Sequence, residues 1–387
     1  MSCFDYNIVK NPEIFEQMRL PAHSDHMFVP AGKDLEAGLS DFRVSLNGIW
    51  KFMYASNYES SVKDFYREDY DCHSWGSIHV PAHIQMEGYD VPAYVNTQYP
   101  WEGRDQILPG EVPVRFNPTA SYVKYFTIPE SFAGRPLYIT FDGVESGFAL
   151  WLNGAYIGYS EDSFTPSSFD LTPHVKEGEN KLAVQVFKWT AGSWCESQDF
   201  FRFSGIFRDV YLYTVPKVHV WDLKIRTILD ERCEDATLSV DLKATAEGQY
   251  ELELLDDGEE LLFGKCALKE ENHVELPVKN PEKWSAENPK LYELKVTVYD
   301  ADGNPQEIIR EYVGFRSFRL INNVMHINGK RIVFNGVDRH EFCSETGRVL
   351  TDETIEKDLI TMKRNNINAI RTSHYPNRTA LDRKSVV

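Results

Sequence analysis

Residues 331–376 read RIVFNGVDRHEFCSETGRVLTDETIEKDLITMKRNNINAIRTSHYP, and this stretch alternates strand, helix and strand signals. Its apolar start, continuing to Val337, predicts a strand. Thr351 precedes two acidic residues, as expected at the beginning of a helix. Residues 368–372 predict a second buried strand, so the stretch indicates a β–α–β unit and the start of a parallel sheet. The apolar face of the predicted helix consists of Ile355, Leu359 and Met362.

Upstream of this unit, residues 217–317 carry a different pattern. Short runs with period-2 alternation predict strands, and Asp257-Gly258 and Asp302-Gly303 are hairpin signals between such runs. About a hundred residues of this kind are typical of an immunoglobulin-like β-sandwich without a disulfide. The predicted strands are 218–227, 236–246, 250–255, 259–263 and 292–299.

Further toward the N-terminus, residues 1–216 form the first predicted domain, with an N-terminal arm to about residue 45. Aromatic and β-branched runs are bounded by Gly, Pro, Asp or Asn, with no long helical pattern among them. This texture indicates a sandwich or a barrel. The clearest strands are 137–141, 148–152, 181–187 and 208–213.

Composition excludes several classes of function. The 387 residues include 41 basic and 59 acidic side chains, a net charge of −18, which disfavours nucleic acid and anionic membranes as partners. No apolar run long enough for a bilayer and no signal-peptide pattern is visible. The 6 cysteines include no CxxC pair, which favours reduced thiols and a cytoplasmic location.

Two histidines follow the predicted parallel strands. His340 comes after the first strand and His374 after the second, and side chains at equivalent strand ends of β–α units project toward one rim. A functional pair is therefore favoured over two unrelated surface histidines. Zinc is disfavoured because the sequence around His340 lacks zinc-ligand spacing.

Residues 193–203 (SWCESQDFFRF) place four aromatic rings around Glu196 and Asp199. Rings that stack on sugar C–H faces, next to carboxylates that bind hydroxyls, suit a carbohydrate. A strand edge with a solvated acidic loop is the alternative, and composition alone does not decide between them.

Several motifs occur in the order found in one family. They are LNGIW (46–50), DGVES (142–146), SGIFRDV (204–210), GVDRHE (336–341) and NAIRTSHYP (368–376). Together they resemble glycoside hydrolase family 2, and within it the bacterial lactose-cleaving β-galactosidases. The resemblance implies a mainly β, multi-domain chain: a jelly-roll sugar-binding domain (1–216), an immunoglobulin-like β-sandwich (217–317) and the truncated start of a (β/α)8 TIM barrel (318–381).

The resemblance also implies roles for individual residues. Asn117, in Phe-Asn-Pro-Thr, resembles a loop asparagine that reaches the galactose site, and Asp199 resembles the aspartate that binds a galactosyl hydroxyl and a sodium ion. His340 and His374 resemble the two barrel histidines that hold galactose hydroxyls. Phe201 occupies the place of a supporting aromatic residue. Two departures, Asp338 for the usual Asn and Phe342 for a common His, bear on fine substrate preference.

The resemblance places the chemistry beyond this stretch of sequence. The acid/base and nucleophilic glutamates of the family lie on later barrel strands, as do its Mg²⁺ ligands, so we expect this chain to be inactive alone. Residues 382–387 (DRKSVV) do not match the family and are expected to be a non-native tail. The intact enzyme is expected to bind Mg²⁺ and Na⁺, cleave terminal β-D-galactosyl residues and form a homo-oligomer. β-Glucuronidase, β-mannosidase or a non-catalytic carbohydrate-binding module are the alternatives.

Overall fold

The computed structural model describes residues 4–33, 41–196 and 199–385, without the side chains of Phe200, Lys384 and Ser385. In the first part of the chain nearly all of the regular secondary structure is strand, as its aromatic and β-branched runs predict. Its strands are β1 (Glu16–Gln17), β2 (Phe28–Pro30), β3 (Arg43–Ser45), β4 (Gly48–Ala55), β5 (Gly76–Val80), β6 (Ala93–Val95), β7 (Thr119–Thr127), β8 (Leu137–Phe141), β9 (Val144–Glu145), β10 (Gly147–Leu152), β11 (Ala155–Ser160), β12 (Ser167–Asp170), β13 (Glu179–Phe187), β14 (Phe200–Arg202), β15 (Gly205–Ile206) and β16 (Val210–Thr214). The short helices are 3₁₀ turns at Tyr6–Lys10 and Glu130–Phe132, and α1 (Ser193–Glu196).

Most of these strands form a sandwich. In the described residues one sheet has the order β1-β11-β10-β13-β7-β4-β5 and the other has β12-β8-β16-β3. Alternate side chains of β10 point to different cores: Leu150 belongs to the core between the sheets, and Trp151 to a second cluster on the outer face of the large sheet. The N-terminal arm covers that outer face with Val9. The large sheet is therefore buried on both sides, which explains its nearly continuous apolar strands.

A second sandwich follows. Its strands are β17 (Val220–Leu229), β18 (Ala236–Ala244), β19 (Gly248–Asp256), β20 (Glu259–Leu268), β21 (Glu271–Val278), β22 (Tyr292–Tyr299) and β23 (Pro305–Val313). The sheet β17-β18-β21 packs against β2-β23-β22-β19-β20. Because β1 belongs to the first sandwich and β2 to the second, the N-terminal arm connects the two.

The last part of the chain contains β24 (Phe318–Ile321), β25 (Val324–Ile327), β26 (Lys330–Arg331), β27 (Gly336–Arg339), α2 (Asp352–Arg364), β28 (Ala369–Thr372) and α3 (Thr379–Ser385). The Thr351 side chain caps α2 by accepting a hydrogen bond from the Thr354 amide. Strands β27 and β28 pair in parallel, with Val337 opposite Ile370. The predicted β–α–β unit is confirmed, and with it the mainly β fold class that ends in the start of a barrel.

The prediction of one strand from Arg331 to Val337 is wrong. β26 ends at Arg331, and β27 begins five residues later at Gly336. The intervening Val333 is 66% exposed, so its apolar side chain has no buried face that would hold it in a sheet. Asn335 instead contacts the residue just before β28, since its backbone N–H donates a hydrogen bond to Asn368 Oδ1 at 2.8 Å.

The barrel segment is anchored on the first sandwich by two buried ion pairs. Arg208 Nη2 lies 3.0 Å from Glu341 Oε2, and Arg348 Nη1 lies 2.6 Å from Glu145 Oε2. Among the described residues, no helix combines the length and the apolarity needed to cross a membrane.

Candidate functional site

Two histidines lie at the C-terminal ends of the parallel strands. His340 directly follows β27, and His374 follows β28 after one intervening residue. Their ring centroids are 5.5 Å apart with an interplanar angle of 88°, and both side chains are exposed. The parallel register that sets Arg339 opposite Thr372 explains why the two rings meet at one rim.

The surroundings of His340 lower its pKa. Partial burial, followed by the neighbouring His374 and Arg348, lowers the pKa of His340, while Asp199 and Asp338 act in the opposite direction. Neutral imidazole has one donor and one acceptor nitrogen. His340 can therefore both donate to and accept from a ligand hydroxyl at neutral pH.

His374 is oriented by a charged neighbour. Arg371 Nη2 lies 3.3 Å from His374 Nδ1, and Arg371 Nη1 lies 3.3 Å from Asp338 Oδ1. Because a guanidinium only donates hydrogen bonds, Nδ1 of neutral His374 accepts and its proton resides on Nε2. The ring thus presents an N–H donor on its other edge. Asp338, one of the departures from the family pattern, takes part in this orientation.

The first sandwich contributes Asp199 to the same surface. Asp199 precedes β14, which pairs with β6, and Tyr94 Oη donates a hydrogen bond to Asp199 Oδ1. The Asp199 carboxylate is close enough to affect the pKa of His340. The structure thus brings the Asp199 segment to the rim that carries His340 and His374, because Phe201, two residues after Asp199, stacks on Phe342, two residues after His340.

Aromatic rings flank this acidic group. Phe201 is 38% exposed and stacks on Phe342 with centroids 5.2 Å apart and an interplanar angle of 7°. Phe342, the second departure from the family pattern, is therefore part of the surface beside Asp199. Trp194 of the same motif instead packs on Tyr99 and Trp101.

Asn117 does not join this surface. Its side chain is 0% exposed, its Nδ2 donates to the Trp189 carbonyl at 2.9 Å, and its Oδ1 accepts from the Trp189 amide at 2.9 Å. A further contact of Nδ2 is with Tyr6 Oη at 3.3 Å. The structure contradicts the expectation that Asn117 reaches a ligand, because its amide has no exposed atom and joins two segments of the first sandwich.

Asn96 is a candidate that the sequence reasoning missed. It follows β6 and is exposed. The β6–β14 ladder ends with Val95 opposite Phe200, so Asn96 and Asp199 both lie just beyond its last pair. The signal that could have identified Asn96 is its position directly after a short strand. That strand pairs with the Asp199 segment, and this pairing is visible only in the fold.

A half-buried carboxyl group, that of Glu196, ends α1 just before the Asp199 segment. Ser163 Oγ donates to Glu196 Oε2 at 3.0 Å. Burial is the main reason that the pKa of Glu196 rises to about 8, with further contributions from the nearby Glu145, Asp162 and Glu161. Glu196 is consequently protonated at neutral pH and supports the loop as a neutral hydrogen-bonding group.

The described residues offer an incomplete cation site. Asp199 supplies a carboxylate of the kind that hard cations prefer. Over residues 4–33, 41–196 and 199–385, however, no three His, Cys, Asp or Glu side chains are grouped in a way that could hold a metal ion. A cation at Asp199 would need ligands of other kinds, such as carbonyl oxygens or water.

Models of three domains of one family match the chain in sequence. Residues 43–216 match the sugar binding domain of glycosyl hydrolases family 2, residues 218–316 match the domain described as glycosyl hydrolases family 2, and residues 318–383 match the TIM barrel domain of that family. The matches cover both sandwiches and the β–α–β unit.

Curated relatives agree with these models. A β-galactosidase of Halalkalibacterium halodurans is 48% identical over 95% of this chain, and one of Clostridium acetobutylicum is 43% identical over 96%. The chain spans 37% and 42% of the length of those two proteins. It also spans 61% of a β-galactosidase large subunit from Lactobacillus acidophilus, with 38% identity.

Solved structures give the same fold. A β-glucuronidase 2 of Bacteroides uniformis aligns over 89% of this chain and 41% of its own, with a TM-score of 0.73 and 27% identity. A β-glucuronidase of Bifidobacterium dentium aligns over 90% of this chain and 60% of its own, with a TM-score of 0.73 at 21% identity, a level that shows the fold alone. From the three domain models in order, the 38–48% identity of the β-galactosidases and this architecture, we conclude that the chain belongs to glycoside hydrolase family 2.

Proposed function

We propose that these residues form the sugar-binding and early barrel portion of a retaining β-galactosidase, which cleaves terminal β-D-galactosyl residues such as that of lactose. The observation that carries the proposal is that the Asp199 segment lies, through the stacked Phe201 and Phe342 rings, beside the rim where the His340 and His374 rings are 5.5 Å apart. The β-galactosidases that match over 95–96% of the chain support the choice of sugar.

In this proposal the residues of the chain bind and orient the galactosyl ring. The Asp199 carboxylate accepts from a sugar hydroxyl, and the His374 Nε2–H and the neutral His340 ring complete the hydrogen bonds. The exposed Phe201 ring offers an apolar surface for sugar C–H groups. A retaining glycosidase also needs an acid and a nucleophilic carboxylate about 5 Å apart, and these are proposed on later barrel strands of a longer protein.

Two cations belong to the proposal. Sodium would contact Asp199 and neutralise part of the charge next to the bound sugar. Magnesium would be held by residues of the longer protein, near the acid. Each site is tested by measuring galactoside affinity, or hydrolysis by the longer protein, with and without the cation. A homo-oligomer and a cytoplasmic location are likewise proposed for the intact enzyme.

A β-glucuronidase is the second candidate, because solved β-glucuronidases share the fold over most of this chain. The sugars differ at C6, where a glucuronide carries a carboxylate. Asp199 beside His340 gives this surface a carboxylate of its own, which would repel that group. β-Mannosidase and a non-catalytic carbohydrate-binding module remain further alternatives.

The binding test uses the 387-residue chain. Ligand-observed NMR with methyl β-D-galactoside, methyl β-D-glucuronide and methyl β-D-mannoside should show binding of the galactoside alone, and Asp199→Ala should abolish it. Asp170→Ala, in the exposed last position of β12, is the matched control. Preference for the glucuronide or the mannoside, or binding unaffected by Asp199→Ala, would contradict the proposal.

The hydrolysis test separates an enzyme from a binding module. We expect no release of o-nitrophenol from o-nitrophenyl β-D-galactoside by the 387-residue chain, and release by a chain extended with a complete family barrel. Hydrolysis by the 387 residues alone would disprove the assignment of the catalytic glutamates to later strands. A complete barrel that binds without hydrolysis would favour the binding module.

A further inference from the structure

Arg348 lies in the interior between the first sandwich and the barrel segment. Its side chain is 1% exposed. Its Nη1 lies 2.6 Å from Glu145 Oε2, and its Nη2 donates to the carbonyl oxygen of Phe201. Three rings surround the guanidinium at 5.2–5.5 Å from their centroids, those of Phe164, Phe203 and Tyr375.

These contacts join both halves of the candidate site. Phe201 lies two residues after Asp199, and Tyr375 directly follows His374. Arg348 itself belongs to the barrel segment, in the loop before the Thr351 cap of α2. One side chain therefore connects the loop that carries Asp199 to the strand end that carries His374.

The backbone next to Arg348 is tightly confined. Gly347 has φ +68°, and a Cβ atom there would lie 2.7 Å from His83 Cδ2. The His83 ring, fully buried, stacks between Phe203 at 4.3 Å and Phe207 at 5.1 Å. The loop is thus pressed against a stack of rings from the first sandwich, which fixes the direction in which Arg348 leaves the backbone.

The shape of the arginine side chain matters here. A guanidinium is planar, can donate to two acceptors along its edges and can lie against aromatic faces at the same time. A lysine ammonium keeps the charge but cannot hold both acceptors in a fixed geometry. Buried charge is costly unless its geometry is good, so the pairing with Glu145 selects one relative placement of the two segments.

We propose that Arg348 is a positioning residue: by bonding Glu145 and the Phe201 carbonyl while lying against Tyr375, it sets the placement of Asp199 relative to His340 and His374. The consequence for galactoside affinity rests on the proposed function, whereas the placement itself does not. Arg348 has no assigned contact with the sugar and acts through its neighbours.

The experiment compares Arg348→Met, Arg348→Lys and Glu145→Gln with Arg226→Met in the 387-residue chain. Arg226 forms an exposed pair with Asp241 in the second sandwich, so it controls for the loss of an arginine. Two readouts are recorded well below the melting temperature: the NMR titration of the His340 ring, and the affinity for methyl β-D-galactoside.

We expect Arg348→Met to weaken galactoside binding about tenfold, equivalent to loss of one charged hydrogen bond. It should also raise the pKa of His340, because the positive charge of Arg348 lowers it. Arg348→Lys keeps the charge, so the His340 titration should change little while affinity still falls. The galactoside affinity of Glu145→Gln should lie between those of Arg348→Lys and the parent, and that of Arg226→Met should equal that of the parent.

A folded Arg348→Met chain with unchanged His340 titration and unchanged affinity would overturn the proposal. If Arg348→Met does not fold, Arg348→Lys decides: parental affinity in that variant would overturn the proposal, and reduced affinity would support it. If the parent chain itself binds no galactoside, the proposed function fails, and the Asp199, His340 and His374 resonances of the folded variants still report the placement.

Discussion

The Asn117 side chain satisfies the backbone hydrogen-bonding groups of a distant residue, Trp189. Its amide bonds both the N–H and the C=O of Trp189, at 2.9 Å each, inside the first sandwich. We expect Asn117→Ala to lower the free energy of unfolding by about 2 kcal/mol, because it leaves buried backbone groups without partners. Urea denaturation followed by tryptophan fluorescence measures the change, with the exposed Asn288→Ala as control. A folded variant should keep its galactoside affinity, and a selective loss of affinity would restore Asn117 as a site residue.

Glu196 makes stability depend on pH in a direction unusual for a carboxyl group. Its pKa is raised, chiefly by burial, from 4.5 to about 8, so the folded state retains a proton that the unfolded state loses. Stability therefore falls as the pH rises between these two values. Glu196→Gln removes the effect and should be more stable than the parent at about pH 9, with the difference vanishing near pH 4. Urea unfolding across that range tests this, and a constant difference between the two chains would contradict it.

Single residues also mark how far the sequence could predict the site. His340 and His374 could be predicted, because their positions after two parallel strands imply a common rim. Asp199 could be placed through the resemblance carried by its motif. Asn117 was misassigned because a polar residue in an Asn-Pro-Thr turn gives no sign of burial. Asn96 needed the register of β6 against β14, which depends on contacts between segments about a hundred residues apart.

At the scale of elements, Gly158 explains how the N-terminal arm attaches. A Cβ atom at this position in β11 would lie 2.5 Å from the Gln17 carbonyl oxygen and 2.6 Å from the Phe169 ring. We expect Gly158→Ala to detach β1 from the sheet edge, since neither the backbone of β1 nor a buried ring can yield cheaply. Trypsin cleavage after Arg19, followed by mass spectrometry, should accelerate. Gly76→Ala is the control, because its nearest contacts are at an ordinary 3.5 Å, and equal cleavage in both variants would refute the explanation.

Strands were predicted correctly where the local pattern of side chains, and not pairing with distant strands, decides the structure. The predicted strands 137–141 and 292–299 agree with β8 and β22 because aromatic and β-branched residues fill them. The strand β21 (Glu271–Val278) was missed, since only its second half alternates apolar with polar residues and that half includes Pro277. Pairing with β18 along its whole length stabilises it, and such tertiary pairing is not encoded locally.

At the scale of the whole molecule, the buried pair of Arg208 and Glu341 links the first sandwich to the barrel segment. Glu341 also accepts a hydrogen bond from the backbone amide of Arg378 at 3.1 Å. Removing the Glu341 carboxylate therefore leaves the buried Arg208 charge without its ion-pair partner and the Arg378 amide without its acceptor. We expect Glu341→Ala to cost about 3–5 kcal/mol. Limited proteolysis should then remove residues after about 318 while the second sandwich stays intact. Lys279→Gln, at a solvent-exposed pair with Asp235, should change the pattern little, and unaltered proteolysis of Glu341→Ala would disprove the anchoring role.

The close packing of the His83 ring against the backbone at Gly347 also constrains which substitutions this family can accept at the two positions. The His83 imidazole occupies the space that a side chain at position 347 would need, since a Cβ atom there would lie 2.7 Å from His83 Cδ2. A homologue that acquires a larger residue at position 347 must lose the ring at position 83 or rebuild the loop in the same lineage. Alignments of related enzymes should accordingly reveal correlated substitution at these two sites, which no comparison of either column alone would detect.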